Sequence, residues 1–214
     1  MPLNSVCGNI QNSLLLNCAS PIVPGITDFI YLFNRADAQI TRSNVDPNIV
    51  TGITMNAGTS GHAIQGINNI FSASHKLVEL DAGPRYEHEI KFRALTNSAS
   101  VKAILQNLAF GRVFCIVENL YQGGDATFEI YGLGAGLVLT ANTRDTNDAN
   151  GSGSFNLILT KPKNVQEPNM PASFQVPPTG STTILYDYNA TKTALLALIP
   201  APVGTSSVTE TAII

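Results

Sequence analysis

The chain has 214 residues, only 13% of them charged, and a formal net charge of −3. One domain over residues 1–214 is the expectation at this length. The mildly acidic balance excludes tight nucleic-acid binding, which rests on phosphate neutralisation by Lys and Arg, and no run of 18 apolar residues is present to span a membrane.

The first segment, MPLNSVCGNIQNSLLLNC, lacks the basic start and long apolar run of a secretory leader. Synthesis and assembly in a cytoplasm is therefore expected, with Cys7 and Cys18 as free thiols. A core over about 26–199 is expected, with segments 1–25 and 200–214 as extensions used in assembly. ITDFIYLF at 26–33 and NIVTGIT at 48–54 read as strands. Polar NRADAQITRSNVDP joins them, and NAGTSGHAIQGINN at 56–69 reads as a loop.

The strongest periodicity follows. In YEHEIKFRAL at 86–95, Tyr86, His88, Ile90, Phe92 and Ala94 alternate with Glu87, Glu89, Lys91 and Arg93. Period two over ten residues predicts a strand with one apolar and one charged face. KLVEL at 76–80 alternates too, and DAGPR at 81–85 is a turn cluster, so 76–95 reads as a long hairpin. Ser98 then caps a helix over 98–110 whose Val101, Ile104, Leu105 and Leu108 recur at i, i+3, i+4, i+7. Gly111 is expected at its C′ position.

RVFCIVENL at 112–120 predicts a strand buried on both faces, with Cys115 a small buried hydrophobe. QGGD at 122–125 reads as a turn. ATFEIYGLGAGLVLT at 126–140 reads as one long strand interrupted by glycines, and SFNLILT at 154–160 as its hairpin partner, leaving 143–153 as a polar tip. KPKNVQEPNMP at 161–171 is a proline-bearing connector. Asn189 or Thr191 is expected to cap a short helix, TKTALLALI, which Pro200 stops. The sum is seven to nine strands: a mainly β fold, an antiparallel β-sandwich or barrel with one packed α-helix, long hairpins and a C-terminal arm.

Three patterns invite a chemical reading. Asp148, Asn150, Ser152 and Gly153 imitate the start of a calcium loop, but its twelfth position, where a bidentate Glu is needed, is Leu159. A polar hairpin tip accounts for the residues. The glycines of GLGAG at 132–136 would cradle a phosphate only between a strand and a helix N-terminus. LVLT follows, so a bulge, a bend or close backbone approach is expected. His62, His75 and His88 have no acid or thiol at motif spacing, and His88 reads as a packed strand residue. No catalytic, cofactor or metal residues are assigned, and no enzymatic activity is expected.

The low charge, about half the usual ~25%, fits either a neutral Thr/Asn/Ser-rich surface or one covered by partner subunits. The order of a long hairpin (76–95), a helix (98–110), a buried strand (112–120) and a glycine-broken hairpin (126–160) resembles the tail tube proteins of tailed bacteriophages and the related inner-tube proteins of contractile injection systems. FEIYGLGAGLVLTANTRDTNDANGSG and EPNMPASF also resemble phage structural proteins. The resemblance covers about residues 60–175. It implies a virion component made in the bacterial host cytoplasm: a homo-oligomer of stacked hexameric rings, joined to other tail proteins, whose tube conducts DNA without binding it specifically. The assembly surface expected from it comprises Glu87, Glu89, Lys91, Arg93, Arg144, Asp145 and Asp148. A tail terminator, a sheath-associated or capsid decoration protein, and a carbohydrate-binding β-sandwich stay open as alternatives. The absence of Trp counts against the last, which needs an aromatic platform.

Overall fold

The computed structural model describes residues 23–66, 70–81, 83–147, 153–178 and 186–200. In chain order the strands are β1 (Ile26–Asn34), β2 (Ala38–Arg42), β3 (Ile49–Met55), β4 (His62–Gln65), β5 (Ser72–Val78) and β6 (Arg85–Ala94). Helix α1 (Ala99–Leu108) follows, then β7 (Val113–Asn119), β8 (Phe128–Tyr131), β9 (Val138–Arg144), β10 (Phe155–Thr160), β11 (Ala172–Phe174) and helix α2 (Tyr188–Ala197). The strands form two sheets. The larger has the order β2-β3-β11-β8-β7-β1-β4, and the smaller β5-β6-β10-β9. All pairs are antiparallel except β3 with β11.

The large sheet is the middle layer because its central strands are apolar on both faces. In β7, Val113, Cys115 and Val117 point toward the small sheet and α1, where they meet Ile90, Phe92, Leu105, Leu157 and Leu159. Phe114 and Ile116 point the other way, into a second cluster with Tyr31, Phe33, Phe128, Phe174 and Leu195 of α2. The uninterrupted run RVFCIV is thus explained by burial from two sides. Cys115 is fully buried and free, and burial pushes its thiol up. Cys7 and Cys18 lie outside the described residues, as do the expected extension over 200–214 beyond Pro200 and Asp148 of the tip.

Several expectations need correcting. β2 and β4 arise in stretches that read as connector and loop, and β11 in residues to which the local pattern assigns no element. Each is short, AQITR and HAIQ are largely polar, and ASF spans only three residues with Ala172 and Phe174 buried, so long-range pairing rather than local pattern specifies them. Residues 126–140 do not form one strand: β8 belongs to the large sheet and β9 to the small one. The GLGAG segment carries the chain between layers, with Gly132 at φ +75° and Gly136 at φ +79°. These are left-handed values that favour glycine. Thr143 and Arg144 still pair with β10, so the tip begins at Asp145.

In α1 the Ser98 hydroxyl accepts the Val101 N–H at 3.2 Å, as expected of a cap. Gly111 is not in the left-handed conformation; the helix ends instead in successive i→i−3 bonds from Phe110 and Gly111 to Asn107 and Leu108. Ile104, assigned by periodicity to the apolar stripe, is 62% exposed. Helix α2 begins earlier than its apolar run. Asp187 caps it, accepting the Ala190 N–H at 2.7 Å. Thr191 is buried inside, donating to the Asp187 carbonyl and accepting from the Val176 N–H.

Candidate assembly face

The small sheet has one face in the core and one in solvent. Alternation along β6 puts His88, Ile90 and Phe92 inward and Glu87, Glu89, Lys91 and Arg93 outward. The β5–β6 register brings Lys76 opposite Glu87, Ser74 opposite Glu89 and Ser72 opposite Lys91. On the other side, Thr160, Ile158 and Asn156 face Glu89, Lys91 and Arg93. The four predicted charges on β6 therefore share one surface.

Three lysines pair with the two glutamates of this surface within the chain. Lys76 Nζ lies 2.8 Å from Glu87 Oε2, Lys161 Nζ 3.4 Å from Glu87 Oε1, and Lys91 Nζ 2.8 Å from Glu89 Oε1. Gln166 also donates to Glu87 at 3.4 Å. The Lys76 hydrogen bond chiefly holds the Glu87 carboxyl below its ordinary range, and Glu87 in turn raises Lys76. Exposed pairs of this kind add little stability; here they set two carboxylates among three lysines, with Arg93 a further cation on the same face.

Arg144 and Asp145 do not join that surface. Arg144 is opposite Phe155, which is inward, and its guanidinium sits 5.0 Å from the Phe155 ring centroid. Its Nε donates to the Gly153 carbonyl at 2.8 Å. Asp145 Oδ1 accepts the Asn147 N–H at 2.9 Å, an Asx turn that starts the tip. Both residues shape their own hairpin.

A polar hollow of about 280 Å³ lies beside the charged face, lined by His75, Lys76, Glu87, His88, Glu89 and Lys161 among others. His88 is fixed: its Nδ1 accepts the Gly132 N–H at 3.0 Å. Burial, helped by neighbouring His75, depresses its pKa to about 4, so it is neutral at physiological pH. Among the described residues no group of three or more His, Cys, Asp or Glu is arranged to hold a metal ion.

Two polar clusters were not legible in the sequence. The carboxylate of Glu167, in the connector after β10, accepts the N–H of Gly134 at 2.9 Å and of Ala135 at 2.8 Å. The GLGAG segment is thus an anion-binding nest, filled by the chain's own acid rather than a phosphate. Burial raises the Glu167 pKa, and these N–H donors partly offset it. On the far side of the large sheet, buried Glu118 pairs with Lys192 of α2 and accepts from Tyr188 Oη at 2.6 Å and Gln122 Nε2 at 3.1 Å. Lys192 also donates to Tyr31 Oη at 3.0 Å. Burial alone would lower Lys192, but Glu118 and Tyr31 hold it above its ordinary value. The one sequence signal was Glu118 itself, a lone charge in an apolar run.

Comparison with family models, with curated protein sequences and with solved structures finds no match.

Proposed function

We propose that the protein is a self-assembling structural subunit, a phage tail tube protein whose rings stack into a conduit. The observation that carries the reading is the small sheet: four strands, strictly antiparallel, with β5 and β9 as edges that no other strand pairs among the described residues. Exposed edges are templates for pairing. An even number of alternating strands makes the two edges run in opposite directions. A neighbour added head to tail then meets β9 with an antiparallel β5, and the sheet continues without a break.

Repetition closes such a sheet into a barrel. Six copies of four strands give 24, and with strands about 4.8 Å apart and tilted about 40° the backbone barrel is about 48 Å across. Three copies would give about half that width, which side chains largely fill. A ring of six leaves room for a nucleic-acid duplex. The solvent face of the small sheet would line the lumen, where Glu87 and Glu89 hold Lys76, Lys91 and Lys161 in ion pairs and so weaken their grip on phosphates. Exposed apolar side chains at Leu77, Ile104 and Phe110 fit a chain whose surface is covered on assembly.

Size-exclusion chromatography with light scattering, followed by negative-stain microscopy, tests this reading. Rings or tubes with a central channel are expected. A monomer at every concentration would refute self-assembly, and closed single rings that never stack would favour a terminator. Deletion of the tip from Asp145 to Gly153 is expected to leave a folded protein whose rings stack poorly.

A further inference from the structure

The inner side of the β9 edge is not flat. Helix α1 overhangs it and leaves an open groove of about 400 Å³ lined by Leu105, Ala109, Leu139 and Phe155, with Lys102 at its border. At the opposite edge of the same sheet, Ala73, His75 and Leu77 lie on the core-facing side of β5, opposite Ile90, His88 and Tyr86. Ala73 packs into the core. Leu77 does not: it is 55% exposed, although it points to the side on which the other strands bury their apolar residues. Glu79 continues the same alternation two residues on.

We propose that the groove between α1 and β9 is a socket for a second copy of this chain, filled by Leu77 and His75 of its β5. The inference rests on the self-assembly reading and specifies its joint. Three observations support it. The edges have opposite polarity, so β5 of the second copy meets β9 antiparallel. The side of β5 that would face α1 carries the stranded Leu77, and the groove offers an apolar floor. Charge also matches, since Lys102 borders the socket and Glu79 extends the inserted face. The contact is heterologous: each copy has one socket and one insert.

The test uses two full-length variants, each damaged on one side. Leu77→Asp spoils the insert, and Ala109→Trp fills the socket. Both positions are exposed in the monomer, so circular dichroism should match wild type, and melting should match it at concentrations too low for wild type to assemble. Sedimentation velocity should find each variant monomeric at concentrations where wild type assembles, a loss of affinity of at least 100-fold. An equimolar mixture should give a 1:1 dimer and nothing larger, because the intact insert of Ala109→Trp still enters the intact socket of Leu77→Asp. Wild-type assembly by either variant alone, or a mixture that stays monomeric, would overturn the socket while leaving self-assembly standing. A wild-type chain that never assembles would remove both. Should either substitution unfold the chain, Glu79→Lys with Lys102→Glu replaces the pair: each alone should weaken assembly and the double variant should restore it. Failure of that restoration, too, would overturn the socket.

Discussion

Replacing Lys192 by Met should be among the most damaging single changes outside the apolar core. The substitution keeps the length and apolar stem of the side chain but removes the cation facing Glu118, which is 2% exposed. Breaking a buried ion pair by removing one partner costs about 3–5 kcal/mol. Glu118 keeps two donors, Tyr188 Oη and Gln122 Nε2, so the expected loss is at the lower end, about 3 kcal/mol. For a chain of this size that lowers the melting temperature by about 6–12 °C. Equilibrium urea denaturation at pH 7 measures it, and the double variant Glu118→Gln with Lys192→Met closes the cycle. Removing the orphaned charge should return at least half of the loss, with an unchanged m-value. A single-variant loss under about 0.5 kcal/mol, or a double variant no more stable than Lys192→Met, would refute the claim that α2 is held to the large sheet by this pair.

Further outcomes follow from the buried polar groups and from the glycines. Glu167→Ala should destabilise by about 2–3 kcal/mol, since two backbone donors lose a charged acceptor, and hydrogen exchange at the Gly134 and Ala135 amides should accelerate. Because burial raises the Glu167 pKa above its ordinary 4.5, the folded chain holds that proton to a higher pH than the unfolded chain does. Its contribution is full below pH 4.5 and is lost as pH rises through the folded value, so wild type should gain on Glu167→Gln as pH falls. His88 has the opposite sign: its pKa falls from 6.5 to about 4, so its contribution is full above pH 6.5 and is lost as pH falls through that window, by about 3 kcal/mol. Urea titrations of His88→Gln should be flatter there than wild type, and an NMR titration midpoint for His88 near 6.5 would contradict the assignment. Finally, Gly132→Ala should cost about 2 kcal/mol or more, because φ is +75° and the new Cβ would lie 2.5 Å from Leu137 Cγ. Gly111→Ala should stay within about 0.5 kcal/mol, since its nearest neighbours are 3.7 Å away; melting curves separate the two.

Local periodicity made the β5–β6 hairpin, α1 and the doubly buried β7 legible, because each states its environment within ten residues. The Lys76–Glu87 pair was not: a turn over 81–85 is centred on residue 83, whereas the observed register, Val78 opposite Arg85, is centred between 81 and 82. The exchange of sheets at GLGAG was not legible: strand residues flank it on both sides, and nothing local tells a bend within one sheet from a crossing between two. Glu167 reads as one more polar residue in a proline-bearing connector, and only the fold brings it to Gly134. Arg144 and Asp145 were grouped with the β6 charges by type. A bulge between Ile158 and Leu159 along the β9–β10 pair shifts the alternation, so charge type gave no guide to which face Arg144 takes.

The crossing at 132–137 has a mechanical consequence. Before β9 enters the small sheet, Leu137 exchanges two hydrogen bonds with Val113 of the large one, at 2.9 and 2.6 Å, and Glu167 clasps the same turn from outside. Tension applied along β9 reaches this stitch before it reaches any loop. The layer behind therefore shares the load, and the two sheets yield together rather than peeling apart one strand at a time.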